Sequence, residues 1–126
     1  MDDLKDRRYM DRITIPKAQL FYRVNDKHKL LHAYHGPFWI SDICKSSLSI
    51  SGALRFKNKT PLCLKLIVPD QPEILLKGFI LGYLRNRAGQ VIKTVIQLMP
   101  FGHAPQYNTF KQKRRLENCL SRCAAV

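Results

Sequence analysis

Acidic side chains are scarce in this chain. Nine Asp and Glu stand against 22 Lys and Arg in 126 residues, a formal net charge of +13. Such an excess favours anionic partners: nucleic acid, nucleotides, an acidic protein surface or an anionic membrane. Long apolar runs are missing as well. None approaches the roughly 18 residues that span a bilayer. The start, Met1-Asp2-Asp3-Leu4-Lys5-Asp6-Arg7-Arg8, is charged and unlike a secretory signal, so a cytoplasmic location is expected. The four cysteines, Cys44, Cys63, Cys119 and Cys123, form no Cys-x-x-Cys pair and read as buried thiols. Cys119 and Cys123 would share a helix face at i and i+4. His28, His32 and His35 lie close together and His103 far away, but no cysteine or carboxylate completes a zinc set with them. His32 and His35 would also point to opposite faces of a strand. There is no Ser-His-Asp arrangement, no phosphate-cradling glycine loop and no set of metal-linked carboxylates. Neither an enzyme nor a metal or cofactor is expected.

What is present is enough for one folded domain. The hydrophobic share is 45%, ordinary for a globular core. Residues 1–12 are polar, carry both signs of charge and read as a flexible basic arm. From Ile13 the pattern changes. Ala18, Leu20, Tyr22 and Val24 alternate with Gln19, Phe21 and Arg23, a strand with both faces partly covered. Asn25-Asp26-Lys27 reads as a turn. A second strand runs through Phe38–Ile43 after a Gly36-Pro37 break. Leu48-Ser49-Ile50 forms a third, stopped by Ser51-Gly52. Leu62 to Val68 alternates again, and Pro69-Asp70-Gln71-Pro72 turns the chain. Leu75 to Arg85 is a long strand in which Gly78 and Gly82 suggest bends or bulges. Asn86-Arg87-Ala88-Gly89 connects it to Val91–Met99. Strands joined by short turns imply an all-β barrel or sandwich over 13–105. In 106–126, Tyr107, Phe110, Leu116, Cys119, Leu120 and Cys123 make an apolar stripe between basic residues, so an amphipathic helix packed on the barrel is predicted. Tyr22, Phe38, Trp39 and Tyr83 read as core aromatics or as stacking platforms.

Two separated segments carry the chemistry. Arg8-Tyr9-Met10-Asp11-Arg12 precedes the first strand. Asp42-Ile43-Cys44-Lys45-Ser46-Ser47 lies where the second strand turns into the third. In order and spacing they resemble the two halves of the PilZ signature, R-x-x-x-R followed by [D/N]-x-S-x-x-G. The first half is intact and the second departs at two positions. The resemblance covers the chain from about Arg7 to the final helix. It implies a six-stranded antiparallel PilZ-type β-barrel with a C-terminal α-helix, in a bacterial cytosolic protein whose ligand is cyclic di-GMP. It also implies ligand roles for Arg8, Arg12 and Asp42, with Arg7 and Lys45 near enough to add phosphate contacts.

The chemistry suits that ligand. A guanidinium fork fits guanine O6 and N7 or two phosphate oxygens, and a carboxylate accepts from guanine N1–H and N2–H₂. Cys44 stands where the family has serine, and a thiol is a weaker donor than a hydroxyl. Ser47 stands where the family has glycine. It either strains a positive-φ position by roughly 1–2 kcal/mol, collides with the ligand, or supplies a replacement hydroxyl. Together these departures are worth about 1–3 kcal/mol, a tenfold to hundredfold loss of affinity. Restoring both, by Ser47→Gly with Cys44→Ser, is expected to tighten binding.

Three functions are then in competition. The first is a cyclic di-GMP receptor whose arm orders over the bound ligand and which signals through a protein effector. The second is an interaction module of the same fold, related to pili or motility, that binds no nucleotide. The third, a basic RNA- or DNA-binding barrel, ranks last because no nucleic-acid signature appears among the strands.

Overall fold

The computed structural model describes residues 12–124. Arg7, Arg8 and the rest of the predicted arm before Arg12 lie outside the described residues. Six antiparallel strands close into a barrel: β1 (Gln19–Val24), β2 (His35–Ile43), β3 (Ser47–Ser51), β4 (Pro61–Ile67), β5 (Ile74–Arg85) and β6 (Val91–Leu98). Around the barrel the order is β1-β2-β3-β6-β5-β4, and pairing of β1 with β4, from Gln19 opposite Ile67 to Val24 opposite Leu62, closes it. The predicted all-β architecture is therefore the observed one.

Alternation explains the core. Leu20, Leu48, Ile50, Leu62, Leu64, Leu66, Ile80 and Ile96 recur at every second position and are fully buried. Gly78 adds no bulge, contrary to expectation. It sits where a Cβ would come within 2.6 Å of the Gln97 carbonyl oxygen, so a close strand approach requires it. The register instead slips between Ile80 and Gly82 and again between Leu84 and Arg85. Gly36-Pro37 does not break the chain before β2. Both residues lie inside the strand, with Gly36 at φ +150° and packed against the Leu20 carbonyl.

Antiparallel order sorts the connections between two ends of the barrel. One end carries the segment 12–18, the β2–β3 turn, the β4–β5 turn and the segment after β6. The other carries the β1–β2 loop, the β3–β4 connection and the β5–β6 hairpin. The β3–β4 connection crosses this second end, because β3 lies between β2 and β6 while β4 lies between β1 and β5. Buried Leu54 anchors it. Thr94 Oγ1 donates to the Gly52 carbonyl (2.7 Å) and accepts from Leu54 N–H (3.3 Å), and Tyr83 Oη accepts from Phe56 N–H (2.9 Å). Tyr22 packs on Phe38 and Phe56 beside this plug.

The C-terminal helix α1 (Phe110–Ala124) starts later than predicted, so Tyr107 precedes it. A capping box fixes the start: Gln112 N–H donates to Thr109 Oγ1 (3.2 Å) and Thr109 N–H to Gln112 Oε1 (2.7 Å). Buried Leu116 and Cys119 join the core cluster. Asn108 is fully buried. It accepts from Lys77 N–H (2.7 Å) and donates to the carbonyls of Lys77 and Met99 (both 3.0 Å), clamping the ends of β5 and β6.

Candidate functional site

The site begins with a short backbone bridge. Ile13 N–H donates to the Ile43 carbonyl and Ile43 N–H to the Ile13 carbonyl, both at 2.9 Å. Buried Ile15 and Ala18 hold the chain on either side of a left-handed turn at Lys17 (φ 63°). That bridge carries Arg12 alongside the end of β2. Its Nη1 pairs with Asp42 Oδ1, and its Nη2 donates to Ser47 Oγ at 2.9 Å. Residues 30 and 35 positions apart in sequence thus meet on one guanidinium. All three side chains of this contact come from the segments singled out in the sequence.

Ser47 opens β3 and is not among the positive-φ residues. The strain considered for a non-glycine residue here is therefore absent, and the hydroxyl serves as an acceptor for Arg12. Cys44 is buried, with its thiol 3.5 Å from both Ser46 Oγ and Ser47 Oγ. Burial pushes that thiol up, but hydrogen bonds from Ser47 and Ser46 outweigh it and leave the thiol below its ordinary value. The turn between Cys44 and Ser47 is pinned to β6: the Ser46 carbonyl accepts from Leu98 N–H (2.8 Å) and Gln97 Nε2 (2.9 Å). Lys45 turns the other way, its Nζ 3.6 Å from Glu117 Oε2 on α1.

Two polar groups at this cluster have no hydrogen-bond partner: Arg12 Nε and Ser49 Oγ, both buried. Ser49 lies opposite Asp42 in register and two residues beyond Ser47 on the same strand face. Sequence reasoning missed it, because its i+2 spacing from Ser47 gains meaning only once Ser47 is placed beside Arg12. Buried polar groups are nearly always paired, so an unpaired guanidinium nitrogen on Asp42's partner and an unpaired hydroxyl opposite Asp42 mark a place where further polar atoms fit.

The other sequence candidates are dispersed. His32 does not lie on a strand; it follows a single 3-10 turn (Lys29–Leu31), and its Nε2 sits 3.2 Å from Asp26 Oδ1. Trp39 is exposed on the outside of β2, whereas Tyr22, Phe38 and Tyr83 pack inward. A concavity of about 120 Å³ between α1 and the β4–β5 turn is lined by Gln71, Ile74, Arg115, Cys119 and Arg122 among others; among the described residues, no motif residue borders it.

No family model and no curated relative matches the chain. Solved structures do. MotI/DgrA, the inhibitor of motility of Bacillus subtilis, is 14% identical with a TM-score of 0.57, covering 89% of this chain and 48% of its own. MrkH, a c-di-GMP-dependent transcription regulatory factor, is 14% identical with a TM-score of 0.58, covering 88% and 48%. The complex of K. pneumonia MrkH with c-di-GMP gives 14%, 0.59, 87% and 49%. The chain spans about half the length of these structures. The likeness shows a PilZ-like fold, as the motif order implied.

Proposed function

Starting from a PilZ-like barrel with Arg12, Asp42, Cys44 and Ser47 gathered at one end, we propose that this chain is a cyclic di-GMP receptor that signals through a protein effector. The observation that carries the reading is the meeting of Arg12, Asp42 and Ser47 beside the unpaired Arg12 Nε and Ser49 Oγ. In this reading Arg12 swings from Asp42 onto a guanine or phosphate edge of the ligand, with Arg7 and Arg8 adding charge from the arm. Asp42, released, accepts from guanine N1–H and N2–H₂. Ser47 and Ser49 offer hydroxyls to the ligand, and Cys44 holds Ser47 in place. Lys45 contributes only after leaving Glu117. Ordering of the arm against the barrel is the change the effector reads, and the reading assigns no catalytic step. It is supported by the likeness of this barrel to part of MrkH, a protein solved in complex with c-di-GMP.

A second reading keeps the fold without the ligand. It is favoured by the Arg12–Asp42 pair itself, which gives each charge an internal counter-charge. Calorimetric titration with cyclic di-GMP at moderate salt separates the two. Saturable heat that weakens more than tenfold in both Arg12→Ala and Asp42→Ala is expected. No heat and no thermal shift at millimolar nucleotide would leave the interaction module standing.

A further inference from the structure

The end of the barrel opposite the motif has a composition that packing does not explain. Leu30 and Leu31, side by side on the 3-10 turn of the β1–β2 loop, are 81% and 84% exposed. At the same end Leu81 and Leu84 on β5 and Ile92 on β6 are each about half exposed. Cations surround them on all three connections: Lys27 and Lys29, Lys57 and Lys59, Arg85 and Arg87. Of the five acidic residues among those described, only Asp26 lies at this end. Its carboxylate is turned to His28 N–H (2.8 Å) and His32.

A lysine-coated surface accounts for the cations. It does not account for two adjacent leucines held out into water on a short turn. From these we infer that this end of the barrel docks on an anionic lipid surface, the leucines entering the headgroup region and the cations meeting lipid phosphates. The apolar residues stand on the β1–β2 loop and on the strands β5 and β6. A fluid interface takes up several separate apolar points at once without a complementary shape, and anionic headgroups match the flanking charge. A second copy of this chain carries the same +13 charge and is repelled. The inference is independent of the nucleotide reading.

Flotation with vesicles tests it. The whole chain is mixed with vesicles of phosphatidylcholine alone, or with a third of the lipid replaced by phosphatidylglycerol, each with and without cyclic di-GMP. Binding is expected only to the anionic vesicles, at least about tenfold weaker in Leu30→Ser/Leu31→Ser and in Arg85→Glu/Arg87→Glu, with thermal melting unchanged. Lys111→Gln/Lys113→Gln/Arg114→Gln removes three charges from α1 and is expected to change it less than about threefold. The inference is overturned if anionic vesicles are not bound, if the serine pair binds as tightly as the parent, or if the helix variant loses as much as the loop variants. It is also overturned if poly-glutamate or a single-stranded oligonucleotide binds more tightly than the vesicles and depends on Leu30 and Leu31. Loss of nucleotide binding with vesicle binding intact would count against the receptor reading alone.

Discussion

The two ends of the barrel handle positive charge in opposite ways. At the motif end Arg12 is enclosed by Asp42 and Ser47, and Lys45 reaches Glu117. At the hairpin end no Lys or Arg forms an ion pair among the described residues, and the guanidinium of Arg85 reaches only the Gly89 carbonyl (2.8 Å). The same excess of cations thus gives a paired, half-buried cluster at one end and an open field at the other. A half-buried guanidinium with designated acceptors discriminates by geometry, whereas exposed cations act through summed potential and are weakened by salt.

The largest effect is expected at the clamp beneath the motif end. Asn108→Ala strands backbone groups of Lys77 and Met99 that are now paired. It is expected to destabilise the fold by about 2–4 kcal/mol in denaturant titration. Next, Arg12→Ala is expected to weaken cyclic di-GMP binding by more than about tenfold in calorimetry, a difference of about 1.4 kcal/mol or more. Its effect on stability should stay within about 1 kcal/mol, because a partly exposed ion pair contributes little.

A third test concerns pH. Burial and then the neighbouring Cys123 push the Cys119 thiol from its ordinary 9.0 up to about 11. The unfolded chain therefore loses this proton first. The group's contribution is fully present below about pH 9 and is lost as pH rises to about 11. Denaturation midpoints of the parent should fall more steeply across that window than those of Cys119→Ala. The smallest effect is expected at the open end. Arg85→Glu with Arg87→Glu should leave stability within about 0.5 kcal/mol and cyclic di-GMP affinity nearly unchanged. A large loss of nucleotide binding there would erase the distinction between the two ends.

The strands were legible because inward leucines and isoleucines alternate with outward residues, and because Asn86–Gly89 and Pro69–Pro72 punctuate them. Gly36-Pro37 misled because an edge or bulge position tolerates proline within a strand, and only the packing against Leu20 reveals that use. The helix start was misplaced because apolar spacing extends through Tyr107, while the decisive signal is the short-range Thr109–Gln112 exchange. At the site, Arg12, Asp42 and Ser47 were legible as candidates through motif order, though their pairing with one another was not. Ser49 and Asn108 were not. A lone polar residue becomes informative only when its buried neighbours are known. The partnership of Lys45 with Glu117 was equally hidden, since nothing local in either segment fixes where a lysine stem points.

The uneven lengths of the strands have a mechanical consequence. β4 follows β5 only as far as Phe79 opposite Pro61, and β3 follows β6 only to Lys93. Past those points the residues from Arg85 to Val91 are held by one another alone. A two-stranded ribbon without flanking neighbours opens at low free energy. Amide exchange should therefore begin at this tip and stop short of Ile80 and Ile96, so that the ribbon can bend or reshape against whatever it touches while the cylinder behind it keeps its form.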